Sequence, residues 1–263
     1  MQKQYLNFIN KVQSRSPQIL LRRLIEKIIH KKLSNIRIVK AACSGNKGLE
    51  IGGPSRGFTV RGYCPVYSYA VQVDSVNFSN NTIWEGAIEE GFHFQCAPGK
   101  IGYQWIAEAS NLEKIQTGSY DFLLSSNCLE HIANPLKAVE EWHRTVKSGG
   151  VLLFILPRKE SNFDHRRSVT LFSHLLDDYR NDVQENDLTH LPEILQLHDL
   201  KRDPPAGNFD RFKKRSENNF YNRCLHHHVF DLNLLQKIIT FFKMELLFKE
   251  SSLLDHFIMA RKM

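Results

Sequence analysis

The chain has 263 residues, 42% of them hydrophobic, 11% aromatic and 24% charged, enough apolar material for the core of one large domain. That balance excludes disordered, collagen-like and solenoid architectures. The formal charge of +7 is unevenly spread: residues 1–48 hold eleven Lys or Arg against the single acid Glu26, a local +10, leaving −3 for the rest. A basic nucleic-acid-binding body is therefore not expected, and any polyanion contact falls to the N-terminal arm.

The longest apolar run, Val151 to Leu156, is far short of the roughly 20 residues that a spanning helix needs. No apolar segment followed by a small-residue cleavage site opens the chain, so the expectation is a cytoplasmic protein. Five scattered cysteines (Cys43, Cys64, Cys96, Cys128, Cys224) form no CxxC, which fits reduced thiols and supports no zinc cluster.

Residues 1–44 read as a basic helical arm. Ser16-Pro17 is an N-cap followed by proline at the first helical position. Leu20, Leu21, Leu24, Ile25, Ile28, Ile29 and Leu33 then recur at helical spacing, with Arg22, Arg23, Lys27, Lys31 and Lys32 opposite. Such a helix (16–33) either packs on the domain or touches an anionic membrane, on the inner surface if the protein is cytoplasmic.

Residues 45–157 read as an α/β core. Short apolar runs at 48–51, 70–73, 102–107, 121–125 and 151–156 predict strands. Pro135 to Val146 predicts a helix that stops at Lys147-Ser148-Gly149-Gly150. Strand, helix, turn, strand is a βαβ unit, and the fold class is a doubly wound, mostly parallel sheet. Residues 158–228, rich in Asp, Arg, His, Asn and Pro, read as a polar cap over the carboxyl end of that sheet. Residues 229–263 predict a helix over 231–242 and two closing antiparallel strands at 246–249 and 256–260.

The most informative stretch is Leu49-Glu50-Ile51-Gly52-Gly53-Pro54-Ser55-Arg56-Gly57, directly after the first strand. Its glycines permit a tight turn in which backbone approaches a ligand. Asp74, at the end of the second run, offers a carboxylate to ribose hydroxyls. Glu108 ends the third run, and the fourth leads into Ser125-Ser126-Asn127-Cys128-Leu129-Glu130-His131-Ile132. With this ordered set, residues 45–160 resemble the class I S-adenosylmethionine-dependent methyltransferases (methyltransferase type 11-like), whose signature includes the LEHI turn and whose fold is Rossmann-like. The resemblance implies S-adenosylmethionine as cofactor. Glu50 and Gly52, Gly53, Pro54 and Ser55 would cradle its methionine part, and Asp74 would hold the ribose. Glu108 and the Ala109 amide would address the adenine, and Ser125, Ser126 and Asn127 would wall the sulfonium. Pro54 stands where such families commonly have glycine.

For the chemistry, Asp164-His165-Arg166-Arg167 follows the fifth run. His165 is the candidate general base, and Arg166 and Arg167 are candidate clamps for an anionic or polyhydroxylated acceptor. Some relatives bind a divalent metal through ExxEH at the LEHI turn. Asn127 replaces the first of those acids, so no metal is expected, and His131 is read as structural. His226-His227-His228 would place His226 and His228 on one face of a strand, read as a polar junction. Trp84, Glu85 and Trp105 read as packing or rim residues. The expected function is methyl transfer to a small-molecule or glycan-like acceptor, with nucleic acid disfavoured. An NAD-type oxidoreductase using Gly52, Gly57 and Asp74, and an RNA methyltransferase, are the alternatives.

Overall fold

The computed structural model describes residues 32–263. The predicted amphipathic helix lies almost wholly outside them. At the start of the described chain, Lys32 donates to the Val60 and Gly62 carbonyls at 2.9 and 2.8 Å, and the Ser34 amide donates to Glu250 at 2.9 Å.

Helix α1 (Ile36–Cys43) leads into β1 (Lys47–Ile51), a short helix α2 (Val66–Tyr69) and β2 (Gln72–Asn77). A two-stranded hairpin, β3 (Asn81–Thr82) and β4 (Gly86–Ala87), precedes β5 (Gly91–Ala97) and β6 (Lys100–Ile106). Then come β7 (Tyr120–Ser126), helix α3 (Pro135–Thr145) and β8 (Val146–Pro157). Helices α4 (Phe172–Arg180), α5 (Leu191–Leu197), α6 (Phe209–Glu217) and α7 (Asn219–Asn222) fill the cap segment. Helix α8 (Leu232–Phe241), β9 (Glu245–Ser251) and β10 (Asp255–Arg261) close the chain.

One sheet carries the order β5-β6-β2-β1-β7-β8-β10-β9. Its centre, β6-β2-β1-β7-β8, is parallel, while β5, β10 and β9 pair antiparallel. The doubly wound sheet and the C-terminal antiparallel hairpin are as expected. No transmembrane-length apolar helix occurs among the described residues.

Side-chain alternation splits the core between the two faces. On β7, Leu123 joins Leu136, Trp142, Leu235 and Ile238 beneath α3 and α8, while Phe122 and Leu124 join Val39, Phe58 and Tyr67 on the other face. Helix α3 starts because Pro135 occupies its first turn and the Asn134 side chain accepts from the Lys137 amide at 3.1 Å. The Asp231 side chain caps α8 in the same way, accepting from the Leu234 amide at 2.7 Å.

Two expectations change. Gly149-Gly150 does not cap α3: β8 begins at Val146, and these glycines sit in its irregular start, where a Cβ on Gly150 would lie 2.6 Å from the Asp121 carbonyl. The β2-to-β6 connection is built from hairpins. The second strand is Gln72–Asn77, displaced toward the C-terminus of the expected 70–73. Val71 had looked like strand core and is 66% exposed, while the polar Ser75 and Asn77 are buried.

Candidate active site

The parallel strands β1, β2 and β7 end together. Gly52 donates to the Val76 carbonyl at 2.8 Å, and the Asn77 amide group donates to the Gly53 carbonyl at 3.1 Å. The loop after β1 is therefore tied to the end of β2. Gly52 has φ +77°, and a Cβ there would meet the Cys128 sulfur at 3.3 Å, so loop and β7 turn face each other closely. A Cβ on Gly53 would fall 2.4 Å from Glu50 Oε2, so only glycine fits over that buried acid.

Glu50 is fully buried at the end of β1 and accepts from the Ser55 amide at 3.0 Å and from the Tyr67 hydroxyl at 2.6 Å. Burial pushes its carboxyl up to about 7, against the lowering effect of those donors. It thus anchors the loop Gly52, Gly53, Pro54 and Ser55 from below. Ser125 and Ser126 close β7, and Asn127 follows with φ +49°, its amide donating to the Ile155 carbonyl at 2.9 Å. These residues come together as expected. Loop, strand end and β7 turn form a cradle lined by backbone, which suits a cofactor held largely by main-chain groups.

Asp74 does not belong to that cradle. It lies three residues short of the end of β2, roughly 10 Å at the rise of a strand. Its oxygens accept from the Tyr103 amide at 2.8 Å and the Tyr120 hydroxyl at 2.7 Å, with Lys47 Nζ at 2.9 Å. The strand end, where a ribose-binding group is wanted, is held by Asn77, which the sequence reading passed over. The clue was the length of the run: a strand extended through Val76 moves the terminal polar residue from Asp74 to Asn77.

Glu108 and Ala109 follow β6. Glu108 Oε1 pairs with Arg223 of the cap at 2.6 Å, and the Glu108 side chain stays 39% exposed. Arg223 also bridges to Glu185 and lies 5.0 Å over the ring of Phe78, just past Asn77. The cap is thereby latched to both strand ends of the expected adenine side.

The turn after β7 meets the cap at a cluster of histidines. His131 Nδ1 lies 2.9 Å from the Leu225 carbonyl, and the His131 ring packs edge-on against Trp84 at 5.6 Å and His226 at 4.6 Å. Trp84, half exposed, marks the rim. Burial and neighbouring His226 hold His131 well below the usual imidazole range. His226 Nδ1 contacts Asp164 Oδ2 at 2.5 Å; burial opposes its charge, but Asp164 raises its pKa overall. Glu130, buried beside them, has both carboxylate oxygens without a hydrogen-bond partner, and burial pushes it up to about 7.

The tetrad of the cap divides. Arg167 is 2% exposed, and its guanidinium donates to the His226 carbonyl at 2.7 Å, the His227 carbonyl at 3.0 Å and Asp164 at 3.1 Å. With those donors spent inside the protein, it is no acceptor clamp. His165 Nε2 contacts Asp199 at 3.0 Å, and Arg166 reaches the same carboxylate at 3.5 Å. These side chains form an ion-pair cluster at the partly exposed flank of the cap. His226 and His228 part company as well: the segment is not a strand, and His226 faces Glu130 and His131 while His228 joins His174, Asp178 and His190.

A family model described as "Methyltransferase domain" matches residues 63–154. A solved S-adenosylmethionine dependent methyltransferase from Mesorhizobium loti is similar over 87% of this chain and 96% of its own, at 11% identity and a TM-score of 0.50. A SAM-dependent methyltransferase from Thermotoga maritima aligns over 94% of this chain and 97% of its own, at 16% identity and a TM-score of 0.44. One from Aquifex aeolicus aligns over 98% of both chains, at 12% identity and a TM-score of 0.47. No curated protein matches in sequence.

Proposed function

We propose, from the premise that this chain carries the domain of the class I S-adenosylmethionine-dependent methyltransferases, that its acceptor is a small or glycan-like molecule and that His131 is its general base. The observation that carries this is the setting of His131. It stands on the turn leaving β7, its Nδ1–H donates to the Leu225 carbonyl, and its surroundings keep the ring neutral. In that tautomer Nε2 holds a lone pair, ready to take a proton from an acceptor hydroxyl or ammonium.

The cofactor supplies an electrophilic methyl group; the protein aligns the nucleophile and removes its proton. Asn77 spends its amide N–H on Gly53, which leaves Oδ1 to accept from a ribose hydroxyl. Glu108 gives one oxygen to Arg223 and keeps the other for the adenine amino group. Ser125, Ser126 and Asn127 wall the reacting end, and the histidine-rich junction with the cap surrounds the acceptor. The −3 balance outside residues 1–48 favours a small acceptor over RNA. A cytoplasmic location, with residues 16–33 against an anionic membrane surface, completes the proposal.

The test is methyl transfer from radiolabelled cofactor to a panel of small hydroxylated and amine acceptors. His131→Ala should lower kcat by about 10²–10⁴, the usual worth of a general base, with cofactor affinity unchanged. His165→Ala should stay near wild type. The opposite ranking of the two variants would return the role to His165.

A further inference from the structure

Away from the cofactor loop, four side chains from three separate segments converge: His174 and Asp178 on one face of α4, His190 just before α5, and His228. We propose that they form a binding site for one divalent transition-metal ion of the zinc type, which staples the cap to the turn after β7.

The distances carry the case. His174 Nε2 lies 3.1 Å from His190 Nε2 and 3.4 Å from Asp178 Oδ2, and His228 Nε2 lies 3.7 Å from the same oxygen. Ligand atoms around a tetrahedral ion bound at about 2.0–2.1 Å are about 3.3 Å apart. These three separations are close to that value, and all four ligand atoms lie within 4.8 Å of one another, near enough for one ion to gather them. Three imidazoles and one carboxylate suit zinc and its neighbours better than magnesium or calcium, which want oxygen.

One buried group lacks a partner that a metal would supply: Asp178 Oδ2 has no hydrogen-bond donor. An unpartnered carboxylate oxygen in the interior is costly. A shared cation removes that cost and replaces the imidazole-to-imidazole contact with two metal bonds. His228 Nε2 also lies 3.0 Å from the Ala133 carbonyl, and ligation exchanges that bond for the metal.

Placement gives the site its role. Asn134 Nδ2 donates to the Asp178 carbonyl at 3.0 Å, and the His228 amide donates to the Glu130 carbonyl. An ion held by α4, the residues before α5 and His228 would therefore lock the cap against the turn that bears His131. Four protein ligands fill a tetrahedron and leave no open position, so the site is structural.

The experiment uses the full chain without a polyhistidine tag, stripped with EDTA and titrated with Co²⁺ or Zn²⁺. Expected are one ion per chain by elemental analysis, visible cobalt bands of tetrahedral intensity that Zn²⁺ bleaches, and a rise in Tm on loading. Asp178→Asn and His190→Gln should each weaken the ion by at least the 10–100-fold that loss of an outer partner costs elsewhere. His190→Gln, altered at a partly exposed position, should unfold like the stripped wild type, which separates metal loss from misfolding. Glu130→Gln should keep the cobalt spectrum. Failure of the wild type to bind either ion overturns the proposal, as does a spectrum that survives both ligand substitutions. A spectrum lost only in Glu130→Gln would do the same, because the ion would then sit in the Glu130, His131 and His226 cluster.

Discussion

Burial holds the Glu50 carboxyl at about 7 in the folded chain, against 4.5 for an ordinary glutamate. Between those values the folded state binds a proton that the unfolded state has released. Stability from this group is therefore greatest below about 4.5 and falls as pH rises to 7, by an order of 3 kcal/mol. Glu130 and Glu185, also pushed up to about 7, slope the same way. Urea denaturation at about pH 5 and about pH 7.5 should show a smaller difference in Glu50→Gln than in wild type; an unchanged difference would assign the slope to the other two acids. Asp164 works in reverse: burial opposes its charge, but His226 and Arg167 hold it down at about 2, so its contribution is present above 3.8 and lost as pH falls to 2. Arg167→Met removes the buried partner of that acid and should cost about 3–5 kcal/mol in the same denaturation assay. A loss under about 1 kcal/mol would mean that the cap stands without it.

Strand β2 shows where sequence patterning fails at the level of an element. Its buried positions include the polar Asp74, Ser75 and Asn77; Asp74 and Asn77 are satisfied by neighbours distant in sequence, while the Ser75 hydroxyl is buried without a hydrogen-bond partner, so hydropathy ended the strand too early. The tyrosine that donates to Asp74, Tyr120, is 46 residues away. Asp74→Asn should therefore destabilise the chain by about 1–3 kcal/mol, through the weakened Lys47, Tyr103 and Tyr120 contacts, and leave cofactor affinity within about twofold. Calorimetric melting and cofactor titration on the same preparation check both halves. Strand β5 was missed for a related reason: of its alternating Phe92 and Phe94, one is 68% exposed and the other buried at the sheet edge. By contrast α3, α8 and the two closing strands were legible, because caps and periodicity are local signals.

At the scale of the molecule, the order of apolar runs and the LEHI turn sufficed for the doubly wound sheet. The interior of the cap was not legible. Its structure rests on buried ion pairs and histidines that join residues far apart, such as Arg223 to Glu108 across 115 positions. No periodicity marks such pairs, which is why Arg167 looked like a clamp. The central claim is that the loop Gly52–Ser55, Asn77 and Glu108 form one site for S-adenosylmethionine. Its most direct measurement is isothermal calorimetry of the whole chain with S-adenosylhomocysteine, alongside NAD and NADP. A Kd in the low micromolar range, near −8 kcal/mol, is predicted, weakened about three- to tenfold in Asn77→Ala and nearly unchanged in Asp74→Asn. Heat from NAD but none from S-adenosylhomocysteine, or affinity lost in Asp74→Asn and kept in Asn77→Ala, would contradict it.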